Sequence, residues 1–430
     1  MSRIELQARQ IADSRGDPTV EVTLQSGSAT VVASVPAGKT KGGDEARTVP
    51  VPEALAQLDG VLAPIVRDAD LSSHAGLIAI ERKLIDRAGP NCADVGANAL
   101  LPVSIALWRL AAALSGVQLH QYIRGNEPEL AGTGRVRLFS NVLNGGFHAL
   151  KNGEVLGRDR FELQELQIIP LGCATYRAAL TMAERVDGSL RAILEAKFGV
   201  SRVGRADEAG LTVKGLGDNA EALDLLVEAI RAADLVPGRD IKITLDPASS
   251  HLFDAVKGTY RIGGAERSPD EYGKYLLALL DRHPGAFATI EDPLQENDWE
   301  GLARLAVEIK KRGVIVVGDD FYVTQRSRLE RGITDKSADG LLVKPNQNGS
   351  FHGTLEVMKL ARKNGIALVI SHRSGETLDD GIADLAYAVN AYGIKTGAPQ
   401  PPSVFPDPKT WVRRAKYLRL IQLEEAGSAT

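Results

Sequence analysis

The sequence contains few cysteines and no excess of positive charge. Its two cysteines, Cys92 and Cys173, lie far apart and lack the spacing of metal ligands, which disfavours a disulfide scaffold or a zinc site. The formal net charge is -4, with both signs interspersed, so no basic surface for nucleic acid or for an anionic membrane is expected. These absences predict a soluble protein of a reducing compartment, the cytoplasm.

Long uninterrupted apolar runs are also missing. The most apolar stretch starts at Ala99 and carries Pro102, Ser104 and Arg109, which favours a buried helix over a membrane span. We expect no signal peptide before it. The chain is therefore not expected to work at a membrane.

The chain of 430 residues is too long for one ordinary core, so a large and a smaller domain are expected. Residues 1–135 mix short alternating strands, such as TVEVTL from Thr19, with helical patterns, which is typical of an α+β domain. In residues 136–430, short β-branched runs alternate with amphipathic helices. That alternation predicts an α/β domain with a parallel sheet covered on both faces.

Six apolar runs of the second region end in charged or polar residues. The residues at these ends are Asp246, Glu291, Asp319 with Asp320, Lys344, His372 to Ser374, and Lys395. After the first gap they recur about every 25 to 30 residues, close to one strand plus one helix of a β/α barrel. A single polar strand end is unremarkable in itself, but six in succession predict a site on the rim where such strand ends converge.

Carboxylates and lysines at one rim suggest two kinds of chemistry. Three carboxylates suit a hard cation such as Mg²⁺, which prefers oxygen ligands and leaves positions open for substrate oxygens. An ammonium group cannot bind a metal, so the lysines need another role. A lysine beside a metal cluster can have its pKa lowered enough to act as a base.

The motifs of the chain resemble the enolase family, in that family's order and over nearly the whole sequence. They are DSRGDPTVEV, NVLNGG, LQELQIIP, ADEAG, TLDPASS, IEDPLQENDWEGL, VVGDDFYVT, KPNQNGS, SHRSGET and IKTGAP. The resemblance implies a C-terminal TIM-like β/α barrel with an N-terminal α+β capping domain. It also implies a lyase that converts 2-phosphoglycerate to phosphoenolpyruvate, with two Mg²⁺ ions per active site.

The resemblance assigns roles to the residues at the strand ends. Asp246, Glu291 and Asp319 would hold the tightly bound Mg²⁺, and Lys344 would remove the weakly acidic proton next to the substrate carboxylate. This pairing of a lysine base with Mg²⁺ is known from the enolase superfamily. Glu208 would protonate the departing hydroxide, with Glu165 sharing or supporting that role, because neighbouring carboxyl groups raise the pKa of one of them.

Further residues would bind the small, anionic, phosphorylated substrate. Lys395 would pair with its carboxylate, and Arg373 and Ser374 with its phosphate. The resemblance also places three more side chains in the cavity, those of His148, Gln164 and His372. Of these three, His372 is expected to be a catalytic residue.

The stretch ASVPAGKT, residues 33–40, fits a relaxed phosphate-binding loop. The glycines and prolines that follow it do not suit the helix that such a loop requires, so the resemblance to a mobile active-site loop explains it better. Thr40 stands where the family has the serine that binds the second Mg²⁺, and it keeps the hydroxyl. Lys39 and Lys41 add positive charge near the phosphate region.

Other departures from the family concern segments that close over or support the substrate. Phe147 replaces a serine, the segment that includes residues 150–161 is longer, and Pro345 follows Lys344. These changes leave open a paralogue that resembles carboxyphosphonoenolpyruvate synthases of phosphinate natural-product pathways. In that case Lys39 and Lys41 would receive a second anionic substrate; otherwise they belong to a solvated loop.

A third hypothesis is a non-catalytic, enolase-like binding protein, which the loss of a metal ligand, of Lys344 or of Glu208 would favour. The sequence retains all of them. The resemblance further predicts a homodimer or higher homo-oligomer built through the N-terminal domain. Arg9, Glu21 and Glu425 match interface charges of the family, whereas Gln422 stands where an arginine is expected opposite Glu21.

Overall fold

The structure is a computed structural model of the chain and describes residues 3–38, 43–151, 154–155 and 161–428. Lys39, Thr40 and Lys41 therefore lie outside the described residues, as does most of the longer segment at 150–161. The chain divides into two compact units. The first comprises Met1–Val136, Tyr322–Leu329 and Leu342–Tyr392, and the second comprises Arg137–Phe321, Glu330–Leu341 and Gly393–Thr430.

The strands, in chain order, are β1 Glu5–Ala12, β2 Pro18–Ser26, β3 Ala29–Ser34, β4 Arg137–Asn144, β5 Leu150–Lys151, β6 Glu154–Val155, β7 Glu165–Pro170, β8 Val203–Arg205, β9 Leu211–Val213, β10 Ile241–Asp246, β11 Phe253–Asp254, β12 Thr259–Ile262, β13 Ala265–Arg267, β14 Phe287–Glu291, β15 Ile315–Gly318, β16 Gly340–Val343, β17 Ala367–Ser371 and β18 Gly393–Lys395.

The α-helices are α1 Val51–Gln57, α2 Ala63–Arg67, α3 His74–Ala88, α4 Ala97–Leu114, α5 Leu119–Asn126, α6 Tyr176–Phe198, α7 Asn219–Ala232, α8 Pro269–Arg282, α9 Trp299–Lys310, α10 Arg326–Asp335, α11 Pro345–Asn348, α12 Phe351–Lys363, α13 Gly381–Ala388 and α14 Pro408–Ser428.

The first unit contains an antiparallel meander of β1, β2 and β3. Strand β2 alternates between buried apolar residues, Val20, Val22 and Leu24, and more exposed ones, as expected for a sheet with one covered face. Helix α4 packs on β2 and β3. Among the described residues, α4 is the one helix long and apolar enough to cross a membrane, and 78% of it is buried inside the protein.

A buried carboxyl group links three helices of the first unit. Ser104 Oγ in α4 donates to Glu81 in α3, at 2.7 Å from Oε1, and accepts from the Phe351 N–H of α12 at 2.8 Å. Burial raises the pKa of Glu81 to about 7, although hydrogen bonds from Ser104 and Trp108 oppose the shift. This carboxyl group is therefore stabilised by neutral hydrogen-bond donors.

In the second unit, the sheet runs through β16, β15, β14, β10, β7, β4 and β18. Four pairings in this series are parallel: β16 with β15, β15 with β14, β14 with β10, and β4 with β18. The apolar strands are buried along nearly their whole length, which fits a sheet covered on both faces.

The sheet also contains a strand that the parallel pattern of the sequence did not include, because β7 runs antiparallel to both of its neighbours, β4 and β10. The described part of residues 145–164 contains no α-helix between β4 and β7, and antiparallel neighbours need no crossover helix. As a result Glu165, the first residue of β7, lies opposite Asn144 and Asp246, the last residues of β4 and β10.

Candidate active site

A cluster of charged side chains surrounds Lys395 in the second unit. Asp246, Glu291 and Lys395 are the last residues of β10, β14 and β18, and Glu165 is the first residue of the reversed strand β7. Lys395 Nζ lies 3.0 Å from Asp246 Oδ2, 3.0 Å from Glu291 Oε2 and 3.2 Å from Glu165 Oε2. The structure thus brings together four predicted site residues from four different strands, and we call them the Lys395 cluster.

Electrostatics in the Lys395 cluster favour the ammonium form of the lysine. Burial alone would lower the pKa of Lys395, but Asp246, Glu165, Glu291 and Glu208 together raise it well above its ordinary value. Burial raises the pKa of Glu165, and the charge of Glu208 adds to that shift, while Lys395 and His148 oppose it. The net result is a pKa of Glu165 above its ordinary value.

His148 and Gln164 flank Glu165. His148 is buried, and its Nδ1 lies 2.9 Å from Glu165 Oε1. Burial lowers the pKa of His148, but the hydrogen bond and charge of Glu165, with Glu208 and Asp207, give a net increase. Gln164 directly precedes β7, and its buried Oε1 has no hydrogen-bond partner within the described part of the chain. His148 thus lies beside the Lys395 cluster, and Gln164 directly precedes one of the strands that form it.

Glu208 lies in a strained turn between β8 and β9. Its φ is +58°, and that of Ala209 is +61°, in the left-handed region that non-glycine residues avoid. Contacts from other segments hold this turn: Ala398 N–H donates to Glu208 O at 2.9 Å, and Arg205 donates to Ala209 O at 2.7 Å. Such strain persists when surrounding structure fixes it, which is common at functional sites.

Asp319 follows β15 and is grouped with two neighbouring carboxylates. Ligand oxygens of Asp292, Asp319 and Asp320 all lie within 4.8 Å of one another. A second group of possible ligand atoms, from His148, Glu165 and Glu208, meets the same distance. Asp246 and Glu291 instead surround Lys395, so the three predicted metal ligands belong to two adjacent strand-end clusters.

Residues predicted to act on the proton and the phosphate lie in the first unit. Lys344 is half-buried and directly follows β16, and its backbone N–H donates to Thr324 Oγ1 at 3.0 Å. His372, Arg373 and Ser374 directly follow β17 and are all buried. Polar residues therefore follow the ends of β16 and β17, where the sequence predicted them.

Arg373 is held by two side chains that the sequence analysis did not assign. Its Nη1 donates to Glu45 Oε2 and its Nη2 to Glu45 Oε1, both at 3.0 Å, and Nη1 also donates to Asn346 Oδ1 at 3.0 Å. Arg373 and Glu45 are almost fully buried, so their charges offset each other in a medium of low dielectric constant. Paired N–H donors of this kind fix the plane of a guanidinium group.

The turn after Arg373 packs tightly against the DSRGD motif. An added Cβ on Gly375 would lie 2.0 Å from Asp13 Oδ2, so only glycine fits there. Gly375 also exchanges two backbone hydrogen bonds with Ala37, at 2.8 and 2.9 Å. Two motifs that are about 360 residues apart therefore form one structural unit.

Comparison with known proteins identifies the family of the chain. A family model for the enolase N-terminal domain matches residues 4–123, and one for the enolase C-terminal TIM barrel domain matches residues 136–429. The chain belongs to the enolase family. The enolase of Corynebacterium kroppenstedtii is 37% identical over 439 residues, covering 98% of this chain and 95% of that protein.

Family membership confirms the resemblance drawn from the motifs and the predicted fold class. This family member is an α/β protein with an enolase N-terminal domain and a C-terminal TIM barrel, and it is a lyase of the phosphopyruvate hydratase type. Enolases depend on metal ions, and the donor atoms present fit that need. Asp246, Glu291 and Asp319 offer carboxylate oxygens, the ligands of hard cations, and the first two already surround a positive charge.

Three residues escaped the sequence analysis although they contact predicted site residues. Glu45 and Asn346 hold Arg373, and Asp292 adjoins Asp319. Asp292 directly follows Glu291 in IEDP, and Asn346 stands two positions after Lys344 in KPNQ, so closeness to a predicted residue was the available signal. Glu45 lacked this signal, because it stands 328 positions from Arg373 in the sequence.

Proposed function

We propose that this enolase family member catalyses the Mg²⁺-dependent removal of water from 2-phosphoglycerate to give phosphoenolpyruvate. The observation that carries the proposal is the Lys395 cluster, in which carboxylates from three strands meet around one buried ammonium group. A phosphorylated hydroxy acid carries groups that complement this cluster. Its carboxylate can pair with the ammonium group, and its oxygens can bind a metal ion held by the carboxylates.

Asp246, Glu291 and Asp319 would hold the tightly bound Mg²⁺, and Thr40 would contribute to a second ion. When bound, Mg²⁺ stabilises the negative charge that develops on the substrate carboxylate as the adjacent proton leaves. Thr40 lies outside the described residues, so its role is supported by the family motif alone.

The protonation steps would be divided between two kinds of side chain. Lys344 would accept the proton next to the substrate carboxylate, because an amine is a suitable base once it is neutral. Glu208 would give a proton to the departing hydroxide, and the nearby Glu165, whose pKa is raised, would share or support this role. His148 is placed to orient Glu165 through the 2.9 Å contact.

The substrate anions would be bound by cations from two strand ends. Lys395 would pair with the carboxylate, and Arg373 with Ser374 would hold the phosphate. Gln164 and His372 would complete the cavity. Support for Arg373 comes from its fixed guanidinium plane, which suits bidentate recognition of phosphate oxygens.

The paralogue with a second anionic substrate depends on Lys39 and Lys41, which lie outside the described residues. No contact in the described part of the chain supports that alternative. A purely non-catalytic protein is disfavoured because the chain retains every residue assigned to the chemistry.

We also propose a cytoplasmic homodimer. Arg9 and Glu21, two of the predicted interface charges, pair within the chain at 2.6 Å. Such exposed pairs contribute about 0 to 1 kcal/mol, so they neither enforce nor forbid association. Sedimentation as a dimer at high micromolar concentration is expected, and a strictly monomeric species would refute this proposal.

The proposed activity is tested by adding 2-phosphoglycerate and Mg²⁺ to the purified protein and recording the ultraviolet absorbance of phosphoenolpyruvate. We expect turnover on the order of 10 to 100 per second, within the usual range for enzymes, and its loss after chelation of the metal. Absence of product would contradict the proposal. Slow turnover that a second phosphonate or phosphate substrate accelerates would favour the paralogue.

A further inference from the structure

Asp292 combines burial, backbone strain and a position between two predicted metal ligands. It directly follows Glu291 at the end of β14 and is 5% exposed. Its φ of +38° is rarely adopted by a residue with a side chain. A strained, buried carboxylate of this kind requires contacts that fix it.

Both carboxylate oxygens of Asp292 accept backbone N–H groups from the end of the adjacent strand β15. Oδ1 accepts from Asp319 at 2.9 Å, and Oδ2 accepts from Asp320 at 2.6 Å. The carboxyl group of Asp292 thus bridges two consecutive backbone N–H groups of the neighbouring strand end. The side chain of one strand end therefore holds the backbone of the next.

The backbone of Asp292 is fixed as well. Its N–H donates to Val317 O of β15 at 3.0 Å, and its carbonyl oxygen accepts from Ser249 Oγ at 2.7 Å. Ser249 in turn lies 2.9 Å from the Tyr272 hydroxyl of α8. Asp292 is thus anchored on β15, which directly precedes Asp319, and on the segment that follows β10, which ends at Asp246.

We propose that Asp292 is a positioning residue that holds the ends of β14 and β15 together, so that Glu291 and Asp319 present their carboxylates to one metal ion. This inference rests on the proposed function, because it assumes that Glu291 and Asp319 bind Mg²⁺. Positioning groups around metal ligands typically change metal affinity by 10- to 100-fold.

The proximity of Asp292, Asp319 and Asp320 also allows a different interpretation, in which Asp292 binds the metal itself. The two interpretations differ in the metal-free protein. If Asp292 is a positioning residue, it protects the Asp319 and Asp320 amides from exchange even without metal. If it acts only as a metal ligand, its replacement should not change exchange at these amides in the metal-free protein. Amide hydrogen exchange in the presence of chelator therefore separates them.

The decisive variant is Asp292→Asn, which keeps the size of the side chain but replaces one acceptor oxygen with an NH₂ group that faces an N–H donor. In metal-free protein we expect the Asp319 and Asp320 amides to exchange at least about tenfold faster, and Mg²⁺ titrated by calorimetry to bind about 10- to 100-fold more weakly. Asp320→Asn is the matched control, and it should leave exchange at Asp319 within about threefold, since its side chain makes neither of these two bonds.

Each outcome bears on the inference. Weaker Mg²⁺ binding with unchanged amide exchange would show a ligand and overturn it, and faster exchange with unchanged Mg²⁺ binding would overturn it too. Should the variant not fold, the metal-free wild type still tests the inference, because rapid exchange at both amides would contradict it. If the wild type binds no Mg²⁺, the proposed function is refuted. If the wild type and the variant bind Mg²⁺ equally well, only the inference about Asp292 is refuted.

Discussion

Two buried cations, Lys395 in the second unit and Arg373 in the first, are both proposed to bind substrate anions, and both contact carboxylates of the chain. Lys395 lies within 3.2 Å of Asp246, Glu291 and Glu165. Arg373 is paired with Glu45 at 3.0 Å. The partners differ in kind, because Asp246 and Glu291 are proposed metal ligands, whereas Glu45 has no role in the proposed chemistry.

The difference indicates two ways of keeping a buried cation ready for an anion. The Lys395 ammonium group contacts carboxylate oxygens that would also bind a divalent metal ion. Binding of the metal would therefore weaken the attraction between these carboxylates and Lys395. Arg373 has a carboxylate partner of its own, which fixes the guanidinium plane. Loss of a partner should therefore impair chemistry in the first case and stability in the second.

The largest effect is expected when a carboxylate of the proposed metal site is removed. Asp246→Ala, Glu291→Ala or Asp319→Ala should each reduce Mg²⁺-dependent turnover by about 1000-fold or more, because each removes a charge that the cation needs. Production of phosphoenolpyruvate by the three variants provides the measurement. Asp254→Ala, at an exposed carboxylate, is the control, and near-normal activity in any of the three would disprove the metal assignment.

Next in size is the effect of separating Arg373 from Glu45. Glu45→Gln should lower the free energy of unfolding by about 3 to 5 kcal/mol, since it leaves a buried guanidinium group with a weaker, neutral partner. Denaturant unfolding measures the loss, and the double variant with Arg373→Met should recover much of it. A change below about 0.5 kcal/mol for Glu45→Gln, within the range of ordinary surface substitutions, would mean that this pair does not stabilise the first unit.

Glu81 offers a contrast, as a buried carboxyl group whose hydrogen-bond donors are neutral. Its pKa of about 7 in the folded protein exceeds the ordinary value of 4.5, so folding favours its protonated form. Stability should fall as pH rises from about 4.5 to about 7, by roughly 3 kcal/mol from this group. In Glu81→Gln this part of the pH dependence should disappear, whereas in Glu129→Gln, an exposed control, it should persist; equal profiles for wild type and Glu81→Gln would contradict the interpretation.

The smallest effect concerns the strained turn at Glu208. Ala209→Gly should raise the free energy of unfolding by up to about 1 kcal/mol, because glycine adopts a φ of +61° without steric cost. Ala206→Gly, at a φ of -122°, is the matched control and should be slightly destabilising. Thermal unfolding compares the two, and destabilisation by Ala209→Gly would argue against strain at this position.

The strand ends could be predicted from the sequence because apolar runs of fixed spacing, each closed by a polar residue, have few other interpretations. The reversed direction of β7 was not predicted, because an apolar strand reads the same in either direction; the lack of a helix pattern before it was the available signal. The partners of Arg373 and the contacts of Asp292 depend on where distant backbone and side-chain atoms meet in space. Such contacts leave no periodic signal in the chain.

Solvent exchange separates the roles proposed for Lys344, which would remove a proton, and for Glu208, which would assist the departure of hydroxide. The proton next to the carboxylate of 2-phosphoglycerate is followed by NMR in D₂O with Mg²⁺, for the wild type, Lys344→Ala and Glu208→Gln. We predict exchange in the wild type and in Glu208→Gln, which should form little phosphoenolpyruvate, and no exchange in Lys344→Ala. Exchange that continues in Lys344→Ala, or that is lost equally in both variants while they still bind substrate and metal, would contradict the account.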